Sequence, residues 1–465
     1  MSANSHWIAG RAWRRIVIGA IVVGLSAAVP LQALHAQATK KQPGPAAKKP
    51  AAAADEQAAP ANGAAKFKVK PAPAGFQTIP QMMAARGKYQ QAVRADEVTD
   101  AERKAVEEYW TNVVAVQLAN PANLHLFGNP NPRNPISLDN IKRDLAAAKP
   151  GILPFTNDLA FKTMSEVAAG NYHPAGRVNA MLIIGELDQQ PRSQSGGMII
   201  PAIPFAPALT QAGGLIATVE DPKQHTAVRV AALVGIARHA EAALPAATQT
   251  ALRAALVKAL KEQPATAADA DGNAWLRMRA ASILGGLKGG PGPEAAKELA
   301  ALVSNGNAGP VARCAAAAAV GQIALPADVN AAQLAGGLGS LTLDVCQREL
   351  ARAVAENEPI ASQKLDQQIA AAVKAFAGLE KSVKDAAAKA IVDDVAAKVG
   401  EVHTLFADGA AVEAAGLNEK LAELKKSLQA HKLIAADAPK PAADESEKTT
   451  PVAKEASKKP AATTK

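Results

Sequence analysis

The sequence predicts an all-α fold for this chain of 465 residues. The expected form is a short α-solenoid of about four to five helix pairs, with N- and C-terminal helical caps and disordered tails. Three observations carry that expectation. Apolar residues recur at helical spacing through the middle of the chain. Four segments there align on a glycine without gaps. Both ends are low-complexity stretches of Ala, Pro and Lys.

In chain order, residues 1–38 read as a signal peptide. Arg11, Arg14 and Arg15 form a basic start, and the 14 residues from Ile16 to Val29 form an apolar run, followed by Pro30. Ala36 and Ala38 supply a small-residue cleavage site before Thr39. The run is shorter than the roughly 20 residues a membrane span needs, and no later segment reaches that length. "RRIVI" at Arg14 to Ile18 is also a weak twin-arginine pattern, so the route of export stays open. The expected location is the periplasm, the extracellular space or another part of the cell envelope.

Residues 39–75 form an Ala/Pro/Lys-rich linker, and residues 435–465 repeat that composition. Neither carries enough large apolar side chains to offset ordering entropy, so both are expected to be disordered. They also account for the charge. The total is +9, of which residues 1–38 contribute +3, residues 39–70 +5 and the tail from Asp437 +1. Residues 71–436 balance 35 basic against 35 acidic side chains. Any polyanion contact, to an envelope polymer or an anionic lipid, therefore belongs to the tails, and nucleic acid is not an expected partner of an exported protein.

Residues 76–151 are expected to form an N-terminal helical cap. "TDAERKAVEEYWTNVVAVQLANP" (99–121) opens with a Thr99 to Glu102 capping box, and "ISLDNIKRDLAAAKP" (136–150) gives a second helix. A Pro/Asn loop lies between them.

Residues 152–357 hold the repeats. The aligned glycines are Gly185, Gly235, Gly285 and Gly321, at spacings of 50, 50 and 36. Fourteen residues before each stands Asn171, Asp221, Asp271 or Asn307, residue types that start turns and cap helices. Ile183, Leu233, Ile283 and Ala319 precede the glycines by two, and further apolar residues continue at helical spacing. A mid-helix glycine costs about 0.5–1 kcal/mol relative to alanine. Four at one position imply a neighbouring helix crossing too close for a Cβ. A second helical pattern precedes each copy, at 155–170, 207–220, 245–263 and 292–306. A fifth, degenerate copy is expected at 330–339 and 340–356, with Ala355 in the glycine place.

The stretches "DPKQHTAVRVAALVGIA" (221–237) and "DGNAWLRMRAASILGGL" (271–287) resemble the HEAT repeats, an armadillo-type α-solenoid family. The resemblance covers under half of the chain. It implies an exported bacterial HEAT-like repeat protein, with a ladder of turn Asp and helix Arg at Asp221 with Arg229 and Asp271 with Arg279. It also implies a protein-binding scaffold, since most members are scaffolds. A bacterial subset, the phycobilisome-lyase-like repeats, is associated with attaching bilin chromophores, which keeps a chromophore-lyase-like role as an alternative.

Residues 358–434 are expected to form a C-terminal helical pair, with stripes at Leu365, Ile369, Val373 and Phe376 and at Leu417, Leu421, Leu424 and Leu428. Two uses remain open: a coiled-coil dimerisation arm, or an antiparallel cap on the end of the repeats.

Between the first two copies, "DQQPRSQSGGMIIPAIPFAP" (188–207) has too many prolines for a helix or a central strand. Met198, Ile199, Ile200, Ile203 and Phe205 either contact a partner or fold back on the repeats. Cys314 and Cys346 form a disulfide if their Cα atoms lie within about 7 Å; otherwise they are free thiols. No catalytic, metal-binding or cofactor-binding motif appears: no C-x-x-C, no H-E-x-x-H, no P-loop, no G-x-S-x-G. Aromatics are 3% of the chain, which argues against a stacking site. The expected function is therefore non-enzymatic binding of another protein, with no cofactor; polyanion binding through the Lys-rich tail is the second alternative.

Overall fold

Local capping chemistry starts the first two helices. The computed structural model describes residues 67–435, apart from 130, 132, 133, 196 and 407–411. The expected signal peptide, most of the expected linker and nearly all of the C-terminal tail lie outside the described residues. Helix α1 (Ile79–Val93) begins at Thr78, which forms a reciprocal capping box with Gln81. Helix α2 (Asp100–Glu108) begins at Thr99, with the capping box to Glu102. It runs through a π-helical segment, Tyr109–Val114, into α3 (Ala115–Leu118). That wider turn puts both Tyr109 and Trp110 in the core. Tyr109 stacks on Tyr89 at 4.4 Å and donates its hydroxyl proton to Pro135 O at 2.6 Å. α4 (Leu138–Ala146) is tied to α1 by a buried ion pair, Arg86 Nε to Asp144 Oδ2 at 2.8 Å.

From here the helices alternate between two rows. The first row holds α5 (Leu153–Ala169), α7 (Ala206–Thr210) with α8 (Leu215–Glu220), α10 (Ala246–Lys261), α12 (Pro293–Ser304) and α14 (Ala331–Glu356). The second row holds α6 (Pro174–Gly185), α9 (Thr226–Ala240), α11 (Ala270–Gly286), α13 (Pro310–Val320) and α15 (Ser362–Ser382). Along the second row each helix packs on the next, and so do α8, α10, α12 and α14. Two more helices, α16 (Ala386–Thr404) and α17 (Ala414–Ala430), close against α14 and α15. Among the described residues the fold is all-α apart from four short strands, with several further helices outside the two rows at both ends.

Three expectations about the elements are corrected. Residues 207–220 are two short helices, because Gly213 (φ 76°) and Gly214 turn the chain between them. The expected break near 339 does not occur. Gly336, Gly337 and Gly339 sit inside the continuous α14 because their bare backbones admit close neighbours: a Cβ on Gly337 would lie 2.8 Å from Ser304 Cα, and one on Gly339 2.9 Å from Leu428. Ala355 is therefore not in a glycine place, and α15 is the second-row partner of α14. The C-terminal region is three helices, because Asp385 stops the long apolar stripe and restarts it as an N-cap, accepting from Ala388 N at 2.7 Å. Leu417, Leu421, Leu424 and Leu428 are buried within the chain. Within this chain the leucine stripe is covered by α14 and α16 rather than left free as a coiled-coil seam.

Candidate functional site

The insertion after α6 is a β arm. Strand β1 (Asp188–Gln190) pairs with β4 (Ile203–Pro204) at its base, and β2 (Ser193–Ser195) pairs with β3 (Met198–Ile200) at its tip, both antiparallel. Pro191 and Pro201 fall between the two ladders, where no ladder N–H is needed. Across the tip, Met198 faces Ser195, Ile199 faces Gln194 and Ile200 faces Ser193. No apolar side chain stands opposite, so these residues stay uncovered. Met198 is 74% exposed, Ile199 58%, Ile200 37% and Ile203 49%. Phe205 behaves differently: it is buried, edge-on to Phe161 with ring centroids 6.5 Å apart. It anchors the arm and is not part of an accessible surface.

A cavity of about 180 Å³ lies beside the base of the arm, lined by Lys142, Asn157, Glu186, Asp188, Arg192 and Arg238 among others. Lys142 pairs with Glu186 at 2.7 Å, and Arg238 pairs with Asp188 while donating to Gly185 O at 3.1 Å. Asn157 Nδ2 donates to Asp188 O at 2.7 Å. Burial raises the Asp188 carboxyl above the usual carboxylate range, and the Arg238 guanidinium works against that. These contacts fix the arm to α5, α6 and α9 through ion pairs and hydrogen bonds.

The glycines approach their neighbours closely. A Cβ on Gly185 would lie 2.6 Å from Gly235 Cα, and one on Gly285 2.7 Å from Ala319 Cα. On Gly321 it would lie 2.9 Å from the Lys374 carbonyl carbon. The Asx residues share no such role. Asp221 Oδ1 accepts from Lys223 N at 2.9 Å in a turn, and Asn307 N donates to Asn305 Oδ1 at 3.0 Å. Asn171 offers its carbonyl to Lys68 N at 2.7 Å, and Asp271 lies in the first turn of α11. The caps of α6 and α9 are instead His173 and His225, whose Nδ1 atoms accept from Ala175 N and Ala227 N.

A ladder of arginines was missed by the sequence reading. Arg177, Arg229, Arg277 and Arg313 each direct Nε to a carbonyl one residue before the end of the preceding first-row helix. The acceptors are Ala168, Val219, Leu260 and Val303, all at 2.8–2.9 Å. Each satisfies a helix-terminal carbonyl that would otherwise lack a partner. Three reach onward to the next repeat: Arg177 to Gln224, Arg229 to both Glu262 carboxylate oxygens at 2.6 Å, and Arg313 to Gly337 O at 3.2 Å. The expected pairs of Asp221 with Arg229 and Asp271 with Arg279 are therefore replaced: Glu262 pairs with Arg229, and Arg277 takes the structural place of Arg279. The ladder also moves the repeat register. Its intervals are 52, 48 and 36 residues, and the buried positions agree, so Gly235 occupies the place of Ile183 and Ile283 rather than that of Gly185.

In that register His239 takes the core place of Leu187 and Leu287. It is buried, and burial followed by the nearby Arg238 charge pushes its imidazole down to about 3. Between pH 6.5 and 3 the unfolded chain holds a proton that the native chain refuses. Stability is therefore expected to fall as pH falls through that window, by up to about 1.4 kcal/mol per pH unit from this group. Urea melts at pH 7 and pH 4.5 check this, and His239→Gln should flatten the difference. An unaltered slope in the variant would count against a buried neutral imidazole.

Cys314 on α13 and Cys346 on α14 are free thiols, and burial pushes both up to about 12. They lie on helices of different rows rather than on consecutive second-row helices. Among the described residues no group of three or more His, Cys, Asp or Glu is arranged to hold a metal ion, and no helix is long and apolar enough to cross a membrane. The chain matches no protein-family model and shows significant similarity to no curated protein.

Proposed function

We propose that this chain is an exported, non-enzymatic scaffold that binds another protein through a HEAT-like α-solenoid, with the basic tails holding it at the cell envelope. The observation that carries the proposal is the β arm, which presents Met198, Ile199, Ile200 and Ile203 to solvent from a base fixed by ion pairs. Exposed apolar side chains on a rigid projection lose solvent-accessible area only when a partner covers them. The solenoid reading is supported by the serial packing of both rows and by the arginine ladder that links one helix pair to the next. A chromophore-attaching role calls for a reactive His or Cys, and burial pushes both thiols up to about 12, which works against a thiolate nucleophile.

Crosslinking of the mature protein in its native envelope, followed by mass spectrometry, tests the proposal. The intact chain should yield a defined protein partner crosslinked near the arm, and a form lacking residues 189–205 should lose it. Crosslinks only from the tails to lipid or wall polymer would sink the scaffold reading in favour of polyanion tethering.

A further inference from the structure

Helices α9, α11 and α13 each leave a large apolar side chain uncovered on the second row: Val234, Trp275 and Val311. On α11 Trp275 and Ser282 are exposed and Arg279, between them at spacings of four and three on the same helical face, is half-buried. Arg279 stands apart from the other arginines of α6, α9, α11 and α13. Each of those donates to a backbone carbonyl. Arg279 makes no hydrogen bond or ion pair among the described residues, and its Nε is buried without an acceptor. Partial burial lowers its pKa from the ordinary arginine value, the mark of a charge stripped of water without compensation.

We infer that Arg279, one helical turn from the exposed Trp275 on α11, is a recognition point for an acidic peptide segment of a partner protein, in which one Asp or Glu is bordered by aliphatic side chains. The guanidinium presents a planar donor fork that matches a carboxylate. Its partial desolvation means that much of the cost of stripping its water is met before binding. Trp and Arg are residue types that dominate binding energy at protein interfaces, and Trp275 and Arg279 stand one turn apart on α11. Val234 and Val311 add exposed apolar side chains on the two helices packed against α11. This inference rests on the scaffold reading and specifies the chemistry of what the scaffold holds.

The test is selection of a random 12-residue peptide display library on the full mature chain, with chosen peptides re-measured by calorimetry on Arg279→Gln and Arg279→Lys. Selected peptides should be enriched in Asp or Glu between aliphatic residues. They should bind Arg279→Gln about 10- to 100-fold more weakly and Arg279→Lys by an intermediate amount. The melting temperature of Arg279→Gln should match that of the parent, since no internal bond is lost. Peptides without acidic enrichment, or equal binding by Arg279→Gln, would overturn the inference and leave the scaffold reading standing. Failure of the parent chain to select any peptide would overturn the inference, while the scaffold reading, carried by the β arm, would still stand or fall on the crosslinking. A self-association of the parent that Arg279→Gln abolishes would give this face to a second copy and overturn the assignment to a partner.

Discussion

Replacing Arg313 by Ala should destabilise the chain by about 3–5 kcal/mol, the largest single-residue effect expected in the repeat body. Arg313 is almost wholly buried, and its guanidinium joins three helices. Nε donates to Val303 O on α12, Nη2 to Gly337 O on α14, and Nη1 lies 3.6 Å from Asp344. Truncation leaves the buried Val303 carbonyl without a donor, at about 1–3 kcal/mol, removes a second bond to Gly337 O, which keeps its own helical donor, and opens a cavity the size of the lost side chain. Against this stands the desolvation that the charge itself suffers, which Asp344 offsets only in part. Urea denaturation with a constant m-value measures the balance. Arg313→Lys should recover little, because one ammonium cannot place two donors on carbonyls of different helices in the same geometry. A loss below about 1 kcal/mol in Arg313→Ala would mean that water or neighbouring groups replace the ladder contacts, and that the arginines do not hold the rows together.

Gly185→Ala is the second large effect, and its sign decides between two principles. Gly185 is the last residue of α6 rather than a mid-helix position, so helix propensity alone gives a gain of at most about 0.5–1 kcal/mol for the substitution. Packing gives a loss of about 1–3 kcal/mol, because the new methyl group would meet Gly235 Cα at 2.6 Å and backbone cannot swing aside as a side chain can. The expected net result is destabilisation. Gly400→Ala in α16 is the matched control: nothing lies within 4 Å of its Cβ position, so propensity should act alone and raise stability. Denaturant midpoints of the two variants should therefore move in opposite directions. Equal gains at both positions would show that α6 and α9 can separate at negligible cost.

Much of the helical framework is legible in the sequence because the relevant chemistry is local. The Thr99 to Glu102 capping box, the apolar stripes of α10 and α12, and the leucines of α17 are each contained within one helix. The second copy shows where that legibility stops. Gly235 aligns with Gly185 by residue identity, yet burial and the Arg229 contact place it two positions away, because register is fixed by what a helix packs against. Arg277 and Arg279 are indistinguishable in sequence at two residues' separation. About 200° of helical rotation sends one to the Leu260 carbonyl and leaves the other on the uncovered stripe. The same holds for the insertion. Its prolines rule out a helix, but only the pairing of Met198, Ile199 and Ile200 with Ser and Gln explains why they remain exposed while Phe205 goes inside.

By itself the sequence determined the all-α class, the approximate positions of the repeat helices and the position of the insertion, since these follow from apolar periodicity and proline chemistry within a few residues. Tertiary structure alone decided the repeat register, the continuity of α14 through three glycines, and the exchange of the expected Asp–Arg pairs for arginines bound to helix-terminal carbonyls. Each of those depends on distances between residues remote in the chain, where a bare glycine backbone or an unsatisfied carbonyl acquires its energetic meaning only from the neighbour that approaches it.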